Sequence, residues 1–334
     1  MKLSILDQSP ILTGMSPRDA FDQTTELIQA IDGFGFHRFW VSEHHSTQSL
    51  AGSAPEILVA HLASNSKRIR VGTGGILIPH YSSYKVAEVF RVLETLHPKR
   101  IDLGIGRAPG GAPSVNLALN GGKFPDVQNY PTQVGDLMAY LHGEDPQNLD
   151  IQATPIGESA PPIWMLGSSG TSARLAASLG TSYSFAHFIN GHGGTGAMRR
   201  YFEHFTPSIQ QETPQGNVSV FAVCGETEGD AELLASSLDL AILKIEQGGN
   251  RSRFPTKEEA SSYPYSLFEK ERVKENRKRM IVGNPEQVKQ ELENLAESYG
   301  VDEIILNTIV HPFEERIKSY ERIAKIFKLN EKEG

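Results

Sequence analysis

One cysteine in 334 residues, Cys224, leaves no disulfide within the chain and no multi-cysteine metal site. Long apolar runs are missing too. Nothing approaches the roughly 18 consecutive apolar residues of a membrane span, and Met1–Asp7 lacks the apolar stretch of a secretion signal. Positive charge is in deficit: 32 Lys and Arg against 40 Asp and Glu give a formal charge of −8, which argues against a general affinity for nucleic acid. With 39% hydrophobic and 22% charged residues the chain fits neither a disordered nor a membrane class. These exclusions point to a soluble protein of a reducing cytoplasmic setting. Chains of about 300 residues bury roughly 75% of their unfolded surface, so a large core is available, and length alone allows about two domains.

What is present is a repeat of pattern rather than of sequence. Short apolar runs alternate with amphipathic stretches, the signature of βα units around a parallel sheet. Eight runs read as strands: Leu3–Asp7, Arg38–Ser42, Arg70–Ile78, Ile101–Gly106, Pro162–Leu166, Tyr183–Ala186, Val218–Cys224 and Glu303–Asn307. Between them lie helical signals. Ser16-Pro17 offers an N-cap and a proline at the first helical position, followed by Phe21, Thr24, Leu27, Ile28 and Ile31 at helical spacing. Asn284-Pro285-Glu286-Gln287 is a similar start. Eight strands alternating with helices predict a single (β/α)8 TIM barrel over residues 1–330. Two stretches break the pattern: a Gly- and Pro-rich loop, 108–131, and an insertion, 248–279, between the seventh and eighth strands. Loops over about 12–15 residues in compact domains are usually functional or disordered, and both stretches read as lids or mobile segments over one site rather than as a second domain.

In such a barrel the chemistry sits at the C-terminal ends of the strands. That rule selects Gln8 and Ser9, Glu43-His44-His45, Pro79 and His80, Arg107, Ser168 and Ser169, His187, and Asn307. Adjacent strand residues point to opposite faces, so His44 and His45 are poorly placed to share a metal, and no metal site is expected. A single inward histidine suits acid or base work near pH 7; the plainer reading is a histidine satisfied in a loop. Gly167-Ser168-Ser169-Gly170-Thr171-Ser172 places hydroxyls and free N–H groups at a helix start, where anions bind. Ordinary N-capping is the alternative there. Arg107, at the neighbouring strand end, favours the anion, because a guanidinium pairs bidentately with phosphate. Gly104-Ile105-Gly106-Arg107 is not a dinucleotide fingerprint: the third glycine and the following helix are missing. The basic tract Lys270–Arg279, interrupted by Glu271 and Glu275, reads as a solvated helical face.

These pieces, in this order and spacing, resemble the bacterial luciferase-like flavin monooxygenases, most closely the luciferase family oxidoreductases of group 1. The resemblance runs through Leu3–Ser9, Phe39–His45, Val71–Pro79, Ile101–Arg107, Pro162–Gly180 and Val282–Glu286, nearly the whole chain. It implies a (β/α)8 barrel with FMN at its mouth. Arg107, Ser168, Ser169 and Ser172 would hold the phosphate. Gly74 and Gly75 would lie under the flavin ring, where the family often has a non-prolyl cis peptide, and His44 matches the catalytic histidine. Two departures stand out. Gly106 occupies the position of the luciferase reactive cysteine, and Ser168 that of a phosphate-turn glutamate, so light emission is not expected.

The implied activity is a two-component monooxygenase acting with dioxygen on a small organic substrate. A separate flavin reductase would supply reduced FMN, since no second nucleotide fingerprint is present. Other readings are a flavin-binding protein without turnover and a deazaflavin-dependent dehydrogenase on the same barrel. Relatives pair as homodimers through the helices here at about Pro55–Ser64 and Tyr84–Leu96. The apolar Ile57, Leu58, Val59 and Leu62 allow such pairing and would serve equally as core.

Overall fold

The alternating pattern resolves, in a computed structural model that describes residues 1–107, 112–248 and 253–332, into a closed parallel barrel. Its strands are β1 (Lys2–Asp7), β2 (Arg38–Val41), β3 (Arg70–Thr73), β4 (Ile76–Leu77), β5 (Ile101–Gly106), β6 (Ile163–Gly167), β7 (Ser182–Ala186), β8 (Gly216–Cys224), β9 (Met280–Gly283) and β10 (Glu303–Asn307). The ring runs β10-β1-β2-β3-β5-β6-β7-β8 and closes through a parallel β10–β8 pairing. The two remaining strands are additions: β4 prolongs β3 alongside β5, and β9 pairs with the outer half of β8.

The helices are α1 (Pro17–Asp32), α2 (Pro55–Ser64), α3 (Ser83–Leu96), α4 (Pro113–Leu119), α5 (Tyr130–Leu141), α6 (Gly170–Leu179), α7 (Gly194–Glu203), α8 (Glu228–Glu246), α9 (Lys257–Ser262), α10 (Leu267–Arg277), α11 (Pro285–Tyr299) and α12 (Phe313–Phe327). Local chemistry sets their starts. In α1 the Ser16 side chain accepts from the Asp19 N–H while Asp19 accepts from the Ser16 N–H, a capping box. Ala20, Thr24, Leu27, Ile28 and Ile31 then form its buried stripe. Burying each Leu or Ile contributes about 1.5–3 kcal/mol. Gly35, midway between α1 and β2, has φ +83°, and a Cβ there would press on the Leu329 backbone, so the chain needs glycine at that point.

Several sequence expectations need correction. The third strand is not continuous from Arg70 to Ile78: it stops at Thr73, passes through a cis Gly74–Gly75 peptide and resumes as β4. The 108–131 stretch is not simply a loop, because α4 and a short 3-10 turn at Val127–Asn129 lie within it. The insertion 248–279 carries α9 and α10, each opened by its own capping box, Thr256 with Glu259 and Ser266 with Glu269. β9 was not anticipated. Residues 108–111 and 249–252 of the two expected lids lie outside the described residues.

The barrel interior is layered. At the N-terminal end, its floor, Arg38 bonds to Glu303 (2.6 Å) and Asp102 (2.8 Å), and Arg70 and Trp40 also donate to Asp102. Above this lie Trp40 and Trp164, edge to face at 5.4 Å, with the Arg38 guanidinium 4.6 Å from the Trp164 ring centre. Leu6 and Ile305 complete that layer. The next layer up is the mouth.

Candidate active site

At the mouth, the strand ends enclose a cavity of about 360 Å³, within the range of a small-molecule site. Its wall includes Gln8 beyond β1, Ser42, Glu43 and His44 beyond β2, Gly74 and Gly75 beyond β3, Gly106 at the end of β5 with Arg107 beyond it, and Ser168 beyond β6. Residues more than 100 positions apart thus meet because the barrel brings every strand's C-terminal end to one face. Phe188 and Ile189, following β7, add an apolar side. Of the other strand-end candidates, Asn307 donates to Gln8 at 3.1 Å. His80 meets Asn120 at 2.7 Å and His187 meets the Tyr299 hydroxyl at 2.9 Å, and neither imidazole lines this cavity.

The two adjacent histidines have different partners. His44 Nδ1 lies 3.2 Å from Ser42 Oγ, whereas His45 Nε2 lies 2.7 Å from Glu43 Oε1. Burial, reinforced by the neighbouring His45, pushes the His44 imidazole down to about 4. It is therefore neutral at pH 7. Its second ring nitrogen has no partner among the described residues. Glu43 was singled out only as part of a motif, and its role is structural. Its buried carboxylate accepts from the Leu77 N–H (2.8 Å), the Tyr81 hydroxyl (2.6 Å) and His45, tying the end of β2 to β4 and the turn after it. No cluster of three or more His, Cys, Asp or Glu side chains able to hold a metal occurs among the described residues.

A second cavity of about 490 Å³ adjoins the first, sharing Arg107, Leu166, Gly167 and Ser168, and extends to Ser169, Ser172 and Gln128. It opens at the N-terminus of α6. The N-cap there, Ser169, makes no side-chain capping bond, so its hydroxyl and the first N–H groups of α6 remain available. The Ser172 hydroxyl behaves differently: it donates back to the Ser169 carbonyl at 2.8 Å and touches the Tyr183 hydroxyl. Arg107 is exposed and makes no hydrogen bond or ion pair among the described residues. Asn190 fixes the turn by donating to the Ser168 carbonyl at 2.9 Å. Gln128, from the segment expected to be a loop, was not identified in the sequence, where an isolated glutamine carries no signal.

Glycine shapes one wall of the first cavity. A Cβ at Gly75 would stand 2.6 Å from the Gly104 carbonyl, and one at Gly74 would stand 2.8 Å from Leu6 Cδ1. A side chain at Gly75 would collide with backbone and one at Gly74 would have to push Leu6 aside, and the wall here is bare backbone. Cys224 is buried in β8, away from this wall, and burial pushes its thiol up to about 12, which makes it inert.

Comparison with known proteins agrees over the same span. A family model described as luciferase-like monooxygenase matches residues 1–303. The chain is 48% identical over 330 residues to YwcH, an uncharacterized protein of Bacillus subtilis, covering 98% of this chain and 99% of that protein. It is 33% identical to the N-acetyl-S-alkylcysteine monooxygenase of Bacillus subtilis over 97% of each. Among solved structures, apo-MsnO8 superimposes with a TM-score of 0.89 at 34% identity over 98% of both chains.

Proposed function

The chain belongs to the luciferase-like monooxygenase family, and on that premise we propose that it is the oxygenase of a two-component system, using reduced FMN and dioxygen on a small organic substrate. The observation that carries this reading is the uncapped start of α6 beside the unpaired Arg107, in a cavity continuous with the mouth. A phosphate there would meet a guanidinium, free N–H groups and the helix dipole together. Arg107, Ser168 and Ser169 would hold it, with Ser172 bracing the turn. Gly74 and Gly75 would let a flat ring system lie against backbone. Reduced FMN, once bound, supplies the electrons that activate dioxygen.

The protein's own part is to place, shield and move a proton. His44, neutral and turned to Ser42 through Nδ1, leaves its other nitrogen to take or give a proton in the cavity. Trp40, Leu6 and Ile305 close the cavity from below. The two inserted segments would exclude water from above. Val127 and Gln128 already border the phosphate side, and Phe254 is laced to the chain after β1 by bonds to Ile11 and Thr13. A separate reductase would deliver the reduced flavin. A second copy would cover the α2–α3 face, where Leu58, Val59 and Leu62 turn out to be core but Ile57 and Leu96 are 68% and 64% exposed beside a groove. No helix among the described residues is long and apolar enough to cross a membrane. With the lone buried thiol this favours a cytoplasmic setting.

Titration of the purified protein with FMN and with a deazaflavin, followed by oxygen uptake with reduced FMN over a substrate panel, tests the reading. The expected result is binding of FMN in preference to the deazaflavin and substrate-dependent oxygen consumption. His44→Ala should keep flavin binding and lower substrate oxidation about 10²–10⁴-fold. Unchanged turnover in that variant removes His44 from the mechanism. Preference for the deazaflavin, or tight FMN binding with no substrate oxidised, replaces this reading with a dehydrogenase or a flavin-binding protein.

A further inference from the structure

Arg200, on α7, is an exposed arginine with an unusual seat. Its guanidinium lies against Gly170, the first residue of α6. A Cβ at Gly170 would stand 2.8 Å from Nη2, 3.7 Å from Cζ and 3.8 Å from Nε. On its own helix, a Cβ at Gly196 would stand 3.6 Å from Nη1. Two glycines thus make a slot for the guanidinium, and any side chain at Gly170 would displace it. Among the described residues it has no hydrogen bond or ion pair. Arg107, which lines the cavity at the same turn where Arg200 does not, is also unpaired among the described residues, and the turn itself is the positive end of a helix whose N-cap serine does not cap it. Two unpaired guanidinia, one at Gly170 and one beside Gly167 and Ser168, and a helix N-terminus make a positive patch that an anion would neutralise.

We propose that Arg200 is a second guanidinium for the flavin phosphate, reaching it from α7 while Arg107 reaches it from β5. This rests on the FMN reading of the site. A phosphate monoester carries about −1.5 to −2 charge at pH 7, more than one arginine neutralises. Arg200 is therefore the residue that makes the site prefer the phosphorylated flavin over the same ring system without phosphate. No motif connects Arg200 to the turn, because it lies on the following helix.

The test compares dissociation constants for FMN and riboflavin, read from quenching of flavin fluorescence, in the wild type and in Arg200→Ala, Arg200→Gln, Gly170→Ala and Arg107→Ala. Arg200→Ala and Arg200→Gln should each weaken FMN about tenfold and leave riboflavin unchanged. Gly170→Ala, which keeps the charge but fills the slot, should move in the same direction. Two outcomes overturn the inference while the phosphate reading stands: the FMN preference falls in Arg107→Ala but persists in the Arg200 variants, or the Arg200 variants weaken both ligands equally, which marks a packing role. A wild type that binds riboflavin as tightly as FMN overturns the phosphate reading and the inference with it.

Discussion

The two ends of the barrel treat charged groups in opposite ways. At the floor the charges answer one another. Asp102 receives Arg38, Arg70 and the Trp40 N–H, and Glu303 receives Arg38 and the Ser4 hydroxyl. Burial works against the Asp102 carboxylate, yet Arg38 and Arg70 outweigh it and hold it below the usual range. At the mouth, Arg107, the Ser168 and Ser169 hydroxyls and one nitrogen of His44 have no partner among the described residues. Burial at the floor demands pairing, whereas Arg107 and Ser169 are exposed and His44 borders the cavity. Charges matched against one another serve stability, and donors left over at the mouth serve a ligand.

The sharpest way to break that contrast is at Arg38. Arg38→Met leaves Asp102 and Glu303 buried with less than their share of positive charge. Removing one partner of a buried ion pair costs about 3–5 kcal/mol. Urea unfolding should report a loss of that size, while the folded fraction keeps its affinity for FMN. A loss below about 1 kcal/mol would mean that the floor network does not hold the barrel together.

A smaller contrast lies within one strand. Gly104 and Gly106 are two residues apart on β5 and face the same interior. A Cβ at Gly104 would overlap the Thr73 carbonyl oxygen and stand 2.9 Å from Leu166 Cδ1, whereas at Gly106 the nearest atom, Leu77 Cδ2, is 3.5 Å away. Gly104→Ala should cost about 1–3 kcal/mol through overpacking. Gly106→Ala should stay within about 0.5 kcal/mol and act on flavin affinity instead, because that position lines the cavity. Equal melting temperatures for the two variants would erase the distinction between packed wall and open wall.

These regions also differ in how far the sequence disclosed them. The barrel was legible because each buried parallel strand is a short apolar run, and the strand-end rule then led to His44, Arg107 and the Ser168–Ser172 turn. The floor was not. Arg38, Asp102 and Glu303 are separated by 64 and 201 positions, and each reads locally as one charge at the edge of an apolar run. Only the closed ring brings them together. In the insertion a signal existed. Thr256-x-x-Glu259 and Ser266-x-x-Glu269 are capping boxes that the Ser- and Pro-rich composition obscured. Arg200 had none, since its significance depends on a glycine of the preceding helix.

The mildest test of the contrast uses two histidines, one at each end. His37, beside the floor, is pushed down to about 4 by burial and then by Arg38, and His44, at the mouth, is pushed down to about 4 by burial and then by His45. Their ordinary value is 6.5. Between those limits the unfolded chain binds more protons than the folded one, so stability rises with pH across the window. The contribution is complete above 6.5 and is lost as the pH falls toward 4. His37→Gln should flatten this acid limb by about 1 kcal/mol, a figure kept small because the imidazole is partly exposed to solvent. That flattening should be the same with or without FMN. His44→Gln should flatten it too, but bound FMN should alter the effect, because His44 lines the cavity and His37 does not. If FMN changes the acid limb of the His37 and His44 variants alike, the floor is coupled to the mouth and the two ends do not act independently.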